Sequence, residues 1–251
     1  MKDKVVIITG GTSGIGFASA ELFLKNNARV IIIGRDLTKG QEAIESLSKI
    51  NDNVEFIAAD ISKVSECREV VNKIKSKYLQ IDILVNNAGI YFEKAIMDMT
   101  EQDFDEMMNI NIKAAYFMAK EVAIQMKEQK SGAIVNVSSD AGLNGNFLCT
   151  AYCASKGALT VFSKALALEL APYKIRVNCV CPGDIDTPLT QKQFINESDI
   201  DQALADMVQL YPIGRIGKAN EVANVIYFLA SEQASFVVGA TWSVDGGISS
   251  Y

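Results

Sequence analysis

The chain has 251 residues, 49% of them apolar and 22% charged, with 24 Lys and Arg against 30 Asp and Glu, a net charge of -6 and no histidine. That length suits one layered α/β domain with a sizeable core. The acidic balance argues against a surface built for a phosphodiester backbone, so nucleic acid is not an expected partner, and any proton transfer must use groups other than imidazole.

Met1-Lys-Asp-Lys4 passes directly into Val5-Val-Ile-Ile8, an apolar run far too short for a signal-peptide core or a membrane span. A soluble, cytoplasmic protein without membrane association is expected. Short Val/Ile-rich runs then alternate with longer amphipathic ones, with no repeat or low-complexity linker. The pattern predicts strands over 5–9, 29–33, 54–58, 83–86, 133–137, 175–181 and 241–244, and helices over 16–26, 101–129, 152–170 and 219–230. Most of the strands lack strict alternation, which suits burial on both faces of a parallel sheet. The expected fold is therefore α/β, a Rossmann-like doubly wound parallel sheet of seven strands in three α/β/α layers, within one domain spanning 1–251. Residues 184–213 exceed what a connection needs, and at the carboxyl end of a strand they read as a substrate-covering lid. The five cysteines show no second closely spaced pair, so free thiols are expected and no metal.

Thr9-Gly-Gly-Thr-Ser-Gly-Ile-Gly16 follows the first strand and opens a helix. Its glycines let the backbone turn tightly and approach a pyrophosphate at the helix N-terminus. A structural turn would also explain a glycine cluster; the strand-turn-helix setting favours dinucleotide binding. Farther on, Tyr152 and Lys156 lie one helical turn apart, with Ser139 thirteen residues before the tyrosine. Residues at i and i+4 share a helix face, which sets the ammonium beside the phenol. A free phenol titrates near pH 10, and lowering it by about three units takes about 4 kcal/mol.

With the G-x-x-x-G-x-G spacing and Tyr152-x-x-x-Lys156, the chain resembles the short-chain dehydrogenase/reductase family, in its single-domain branch. The resemblance runs end to end through Asp60-Ile61, Asn86-Asn-Ala-Gly89, Asn111, Ser139, Pro182-Gly183 with Thr187, and Val244-Asp-Gly-Gly247. It implies an NAD(P)-dependent oxidoreductase that interconverts a secondary alcohol and a ketone. Tyr152 would be the acid/base, Lys156 would lower its pKa and bind the ribose, Ser139 would orient the substrate oxygen, and Asn111 would join the proton relay. Asn111 also reads as a buried polar residue at a helix contact. Ser139 is preferred to Ser138 by the family spacing and because strand alternation turns the two hydroxyls apart.

For the cofactor, the resemblance implies that Gly10, Thr12, Ser13, Gly14, Ile15 and Gly16 line the pyrophosphate and ribose and that Asp60 and Ile61 hold the adenine. Asn87, Ala88 and Gly89 would flank the adenosine, and Pro182, Gly183, Ile185 and Thr187 the nicotinamide. Asn86-Asn-Ala-Gly89 also reads as a strand end tied by side-chain hydrogen bonds. The second strand ends Ile33-Gly34-Arg35-Asp36: glycine stands where NAD-preferring relatives carry an acid, and the Arg35 guanidinium suits a phosphate. NADP(H) is favoured and NAD(H) kept as the alternative, since Asp36 could neutralise Arg35 or turn to the ribose.

Leu143, Asn144 and Phe147, with Tyr91, Phe92, Asp140 and the lid from Pro188 to Pro212, are candidate substrate contacts. A hydroxysteroid, 3-oxoacyl thioester, cyclic ketone or sugar would each be compatible. The run 142–147 has no Arg or Lys to hold an anion. A non-enzymatic dinucleotide-binding sensor or assembly protein is the rival reading, and the epimerase and dehydratase branch is disfavoured for want of a C-terminal sugar-nucleotide domain. The resemblance further implies a homotetramer assembled through the two long helices and residues 240–251.

Overall fold

The computed structural model describes residues 1–194 and 199–250. In chain order the elements are β1 (Val5–Thr9), α1 (Gly14–Lys25), β2 (Arg29–Gly34), α2 (Leu37–Leu47), β3 (Val54–Ala58), α3 (Val64–Tyr78), β4 (Ile83–Asn86), α4 (Glu101–Met108) and α5 (Ala114–Gln129). There follow β5 (Gly132–Val137), α6 (Thr150–Leu170), β6 (Ile175–Pro182), β7 (Ile185–Asp186), α7 (Pro188–Gln191), α8 (Ile200–Gln209), β8 (Gly217–Lys218), α9 (Ala219–Ala230) and β9 (Thr241–Val244).

Seven strands form one parallel sheet in the order β3-β2-β1-β4-β5-β6-β9. Alternate residues explain why these strands are apolar throughout. Val5, Ile7, Ile31 and Ile33 face one core with Val70, Met118 and Val122 from α3 and α5. Val6, Ile8, Val30 and Ile32 face the other with Phe23, Leu47 and Ile226 from α1, α2 and α9. Chain order reverses between β1 and β4, and the carboxyl ends of these strands open the crevice where ligands bind in such sheets.

The helix expected over 101–129 is not continuous. A π-helical turn, Asn109–Lys113, separates α4 from α5. Asn111 lies within it and is fully buried. Its Oδ1 accepts from the Ile90 amide at 2.8 Å and its Nδ2 donates to the Ile90 carbonyl at 3.0 Å. An irregular turn of this kind repositions a side chain that a regular helix would place elsewhere.

The expected lid, 184–213, starts at β7, which pairs with β8 through Ile185↔Gly217 and Asp186↔Lys218. Residues 195–198 of that segment lie outside the described residues, as does Tyr251 of the C-terminal segment. At the lid's base the Tyr211 hydroxyl donates to Asp184 Oδ2 at 2.8 Å and accepts from the Asp184 amide at 2.6 Å. Tyr211 is itself buried. No helix among the described residues is long and apolar enough to cross a membrane.

Candidate active site

A cavity of about 1070 Å³ runs across the carboxyl ends of the strands, from Arg35 and Asp60 past the glycine turn to Tyr152, then beneath Met207 and Leu210. Gly10, Thr12, Ser13, Gly14 and Ile15 line it, as do Ile61, Asn87, Ala88, Gly89, Pro182, Gly183, Ile185 and Thr187. Gly16, Asn111 and Leu143 lie outside its wall. A Cβ on Gly16 would run into the Gly10 carbonyl oxygen and Asn87 Nδ2, so the missing side chain lets the turn close. Leu143 is carried onto the surface by the short 3-10 turn Asp140–Gly142, while Asn144 and Phe147 remain at the rim.

The glycine turn fits a pyrophosphate. Gly10 and Gly14 adopt φ of +64° and +54°, and a Cβ on Gly10 would stand 2.9 Å from Ala88 Cα. Ser13 occupies the N-cap of α1 without a side-chain capping bond, and the first turn has no acidic residue, so its amide donors are left for an anion. Behind the turn, Asn87 Nδ2 donates to the carbonyls of Thr9 and Gly10, both at 3.1 Å, while Asn86 Nδ2 donates to Asn136 Oδ1 at 2.9 Å. The Asn-Asn pair therefore staples strand ends, and Asn87 also faces the cavity.

At the end of β2, Asp36 is taken up as the N-cap of α2, accepting from the amides of Thr38 and Lys39 at 2.9 and 3.1 Å. Its Oδ1 is thus engaged with the helix, and Asp36 lines the cavity beside Arg35 and Lys39. A Cβ on Gly34 would come 3.1 Å from Thr12 Cγ2, which leaves little room for an acidic side chain there. Asp60 is held below its usual carboxyl range by the hydroxyl of Ser62, with Lys63 and Arg35 adding their charges.

Ser139, Tyr152 and Lys156 meet at the inner end. The Tyr152 ring packs edge-on against Tyr91, centroids 4.9 Å apart at 88°. Burial pushes the phenol above its usual range, the Ser139 hydroxyl pulls it down, and the charges of Asp140 and Asp184 push it up. Lys156 is buried, its pKa lowered to about 8 by desolvation, and its Nζ donates to the Val137 carbonyl at 3.0 Å. A Cβ on Gly89 would lie 3.3 Å from Asn111 Oδ1 and 3.4 Å from Lys156 Nζ, which places the three around one point. Ser138 turns away, bonding the Lys156 carbonyl and Thr160, both at 2.8 Å. Ser139 faces the cavity and donates to Asp140 Oδ1 at 2.8 Å.

The short chain dehydrogenase family model matches residues 4–198. The chain belongs to that family. It is 39% identical over 245 residues to the 3-oxoacyl-acyl-carrier-protein reductase FabG of Chlamydia pneumoniae, covering 98% of this chain and 96% of the relative. A solved structure of levodione reductase superposes with a TM-score of 0.97 at 29% identity, covering 100% of this chain and 99% of that one. A structure of ElxO with NADP bound gives 0.92 at 36% identity, covering both chains fully at 100%. The short-chain dehydrogenases are nicotinamide-dependent oxidoreductases of alcohols and ketones, the class expected from the motifs.

Sequence reasoning passed over several residues. Lys39 joins Arg35 because α2 begins at Leu37, three residues after the end of β2, so both stand beside the cavity. Ser155 accepts from Asn111 Nδ2 at 3.1 Å and donates to the Tyr152 carbonyl at 2.8 Å, linking the π-helical turn to α6. Glu93 and Cys149 reach the cavity from separate loops, and no local pattern marks them, while Asp184 is the first residue of the expected lid.

Proposed function

We propose that the protein is an NADPH-dependent reductase of a small neutral ketone, working reversibly on the corresponding secondary alcohol. The observation that carries this reading is the convergence of Ser139, Tyr152 and Lys156 at the inner end of a cavity whose outer end holds the glycine turn, Arg35 and Lys39.

The bound reduced nicotinamide supplies the hydride. Tyr152 delivers the proton to the substrate oxygen, and Ser139 donates a second hydrogen bond to that oxygen. Lys156 keeps protons beyond the one given to Val137, enough to reach ribose hydroxyls and to stabilise phenolate when the alcohol is oxidised. Asn111 holds the chain at Ile90 and lies beside the ammonium, in position to pass protons outward. Arg35 and Lys39 favour the ribose 2′-phosphate, in keeping with the NADP in the ElxO structure. NAD(H) remains the weaker alternative.

At the substrate end the wall carries Glu93, Asp140 and Asp184, with Lys192 as the one cation there among the described residues apart from Lys156. Such a wall disfavours anions and favours neutral oxo compounds, in line with the reductase names of FabG and levodione reductase. Within one domain, the described parts of the 184–213 segment border this end, Met207 of α8 and the following Leu210 lining the cavity. Exposed Tyr116, Ile124, Val161 and Leu168 on α5 and α6, with Phe236 and Trp242, support a homotetramer.

The test is NADPH oxidation against 1,2-cyclohexanedione, simple cyclic ketones and acetoacetyl-coenzyme A. Turnover of the dione or a cyclic ketone supports the reading; turnover of acetoacetyl-coenzyme A alone, a polyanionic thioester, contradicts its neutral-ketone part, and tight NADPH binding without turnover on any favours the sensor alternative.

A further inference from the structure

We propose that Asp140 is a positioning residue that competes with the substrate oxygen for the single hydroxyl proton of Ser139, so that ketone reduction is fastest when the Asp140 carboxyl is protonated. The inference rests on the reductase reading above.

A serine hydroxyl has one proton to give. Here it is given to Asp140 Oδ1 at 2.8 Å, while Ser139 Oγ accepts from the Ala141 amide at 3.2 Å. Asp140 Oδ1 also accepts from the Ala141 amide at 2.8 Å, so the carboxylate is fixed in this position by the backbone. The proposed reaction needs that same proton on the substrate oxygen, because Tyr152 supplies only one of its two hydrogen bonds. An ionised carboxylate is the stronger acceptor and holds Ser139 away from a neutral ketone. A protonated one reverses the arrangement. It donates to Ser139 Oγ, the Ser139 proton turns to the substrate, and two hydroxyls in series polarise each other in the direction the reaction needs.

The surroundings favour the protonated form. Burial raises the Asp140 carboxyl above its usual range, and the charges of Asp184 after β6 and Asp245 after β9 act in the same direction. Glu93, after β4, acts on Asp184 in turn. At and on α6 the neighbours are the N-cap Cys149 and Tyr152, both pushed up chiefly by burial, and Lys156, whose ammonium is engaged with Val137.

The experiment compares the wild type, Asp140→Asn and Asp184→Asn as holoenzymes, measuring kcat/KM for NADPH-dependent reduction of 1,2-cyclohexanedione from acid to neutral pH. An amide at 140 can still accept from the Ala141 amide but carries no charge. The wild type is expected to lose about tenfold as pH rises through the Asp140 titration, the scale of one weakened hydrogen bond. Asp140→Asn is expected to be flat across that range and faster than wild type at neutral pH, a gain that a merely structural role would not give. KM for NADPH should not move. An Asp140→Asn profile that follows the wild type, or that is uniformly slower, overturns the proposal. So does a step that survives Asp140→Asn and disappears in Asp184→Asn. If NADPH binds but none of the three turns over this dione or the other probes, the reductase reading itself falls, and this inference with it.

Discussion

Lys156 Nζ donates to the carbonyl of Val137 at 3.0 Å and stands 5.8 Å from the centre of the Tyr152 ring. The lysine is thus tied to the end of β5, beneath the phenol and not in a hydrogen bond to it. Burial dominates both groups, lowering the ammonium to about 8 and raising the phenol.

A pH dependence of stability follows. The folded-state pKa of Lys156, about 8, lies below its ordinary 10.5, so between these values the unfolded chain binds more protons. The contribution is complete above the unfolded value and is lost as pH falls through the folded one. The thermal midpoint should therefore rise with pH through the alkaline range relative to Lys156→Met, which lacks the group. Parallel curves for the two proteins would contradict this.

The cofactor preference separates Arg35 from Asp36. Arg35→Asp should cut NADPH efficiency by at least about tenfold relative to NADH, the scale of one lost charge-assisted hydrogen bond. Asp36→Ala should leave the ratio of the two efficiencies nearly unchanged while costing about 1 kcal/mol of stability through the lost α2 cap. Steady-state kinetics and thermal melts on both variants check the pair, and an altered NADPH/NADH ratio in Asp36→Ala would place its carboxylate at the ribose instead.

Asn111→Ala should lower stability as well as turnover, because it strips the hydrogen bonds from the Ile90 amide and carbonyl. Leaving fully buried groups unpaired costs about 1–3 kcal/mol each, and less at the half-buried Ile90. Chemical denaturation would show the loss. A variant as stable as wild type but inactive would confine Asn111 to the proton relay.

Much of this site could be read along the chain, for a reason seen at particular residues. The glycine turn, Ser139 and the Tyr152, Lys156 pair each lie on one regular element or at its end, where spacing determines direction. The sheet was legible because Val5 to Ile8 and Val30 to Ile33 supply both cores by alternation. The π-helical turn was not legible, since the partner its Asn111 meets is Ile90, twenty-one residues away. Nor were the partners of Ser139 and Asp184, which depend on how separate loops meet: Asp140 beside the serine hydroxyl, and Tyr211 closing onto Asp184 across twenty-seven residues. Asp36 was ambiguous in sequence because capping and ribose binding ask for the same residue type; the amides of Thr38 and Lys39 take up its Oδ1, while the residue also lines the cavity.

The most direct test of the account is turnover by Tyr152→Phe. The substitution keeps the ring packed on Tyr91 and removes only the hydroxyl. NADPH binding, followed by fluorescence titration, should stay within about threefold of wild type, while ketone reduction should fall by at least about a thousandfold, within the range of general acid catalysis. Reduction at a rate near wild type with NADPH bound would show that another group delivers the proton, and would contradict the central role given to Tyr152.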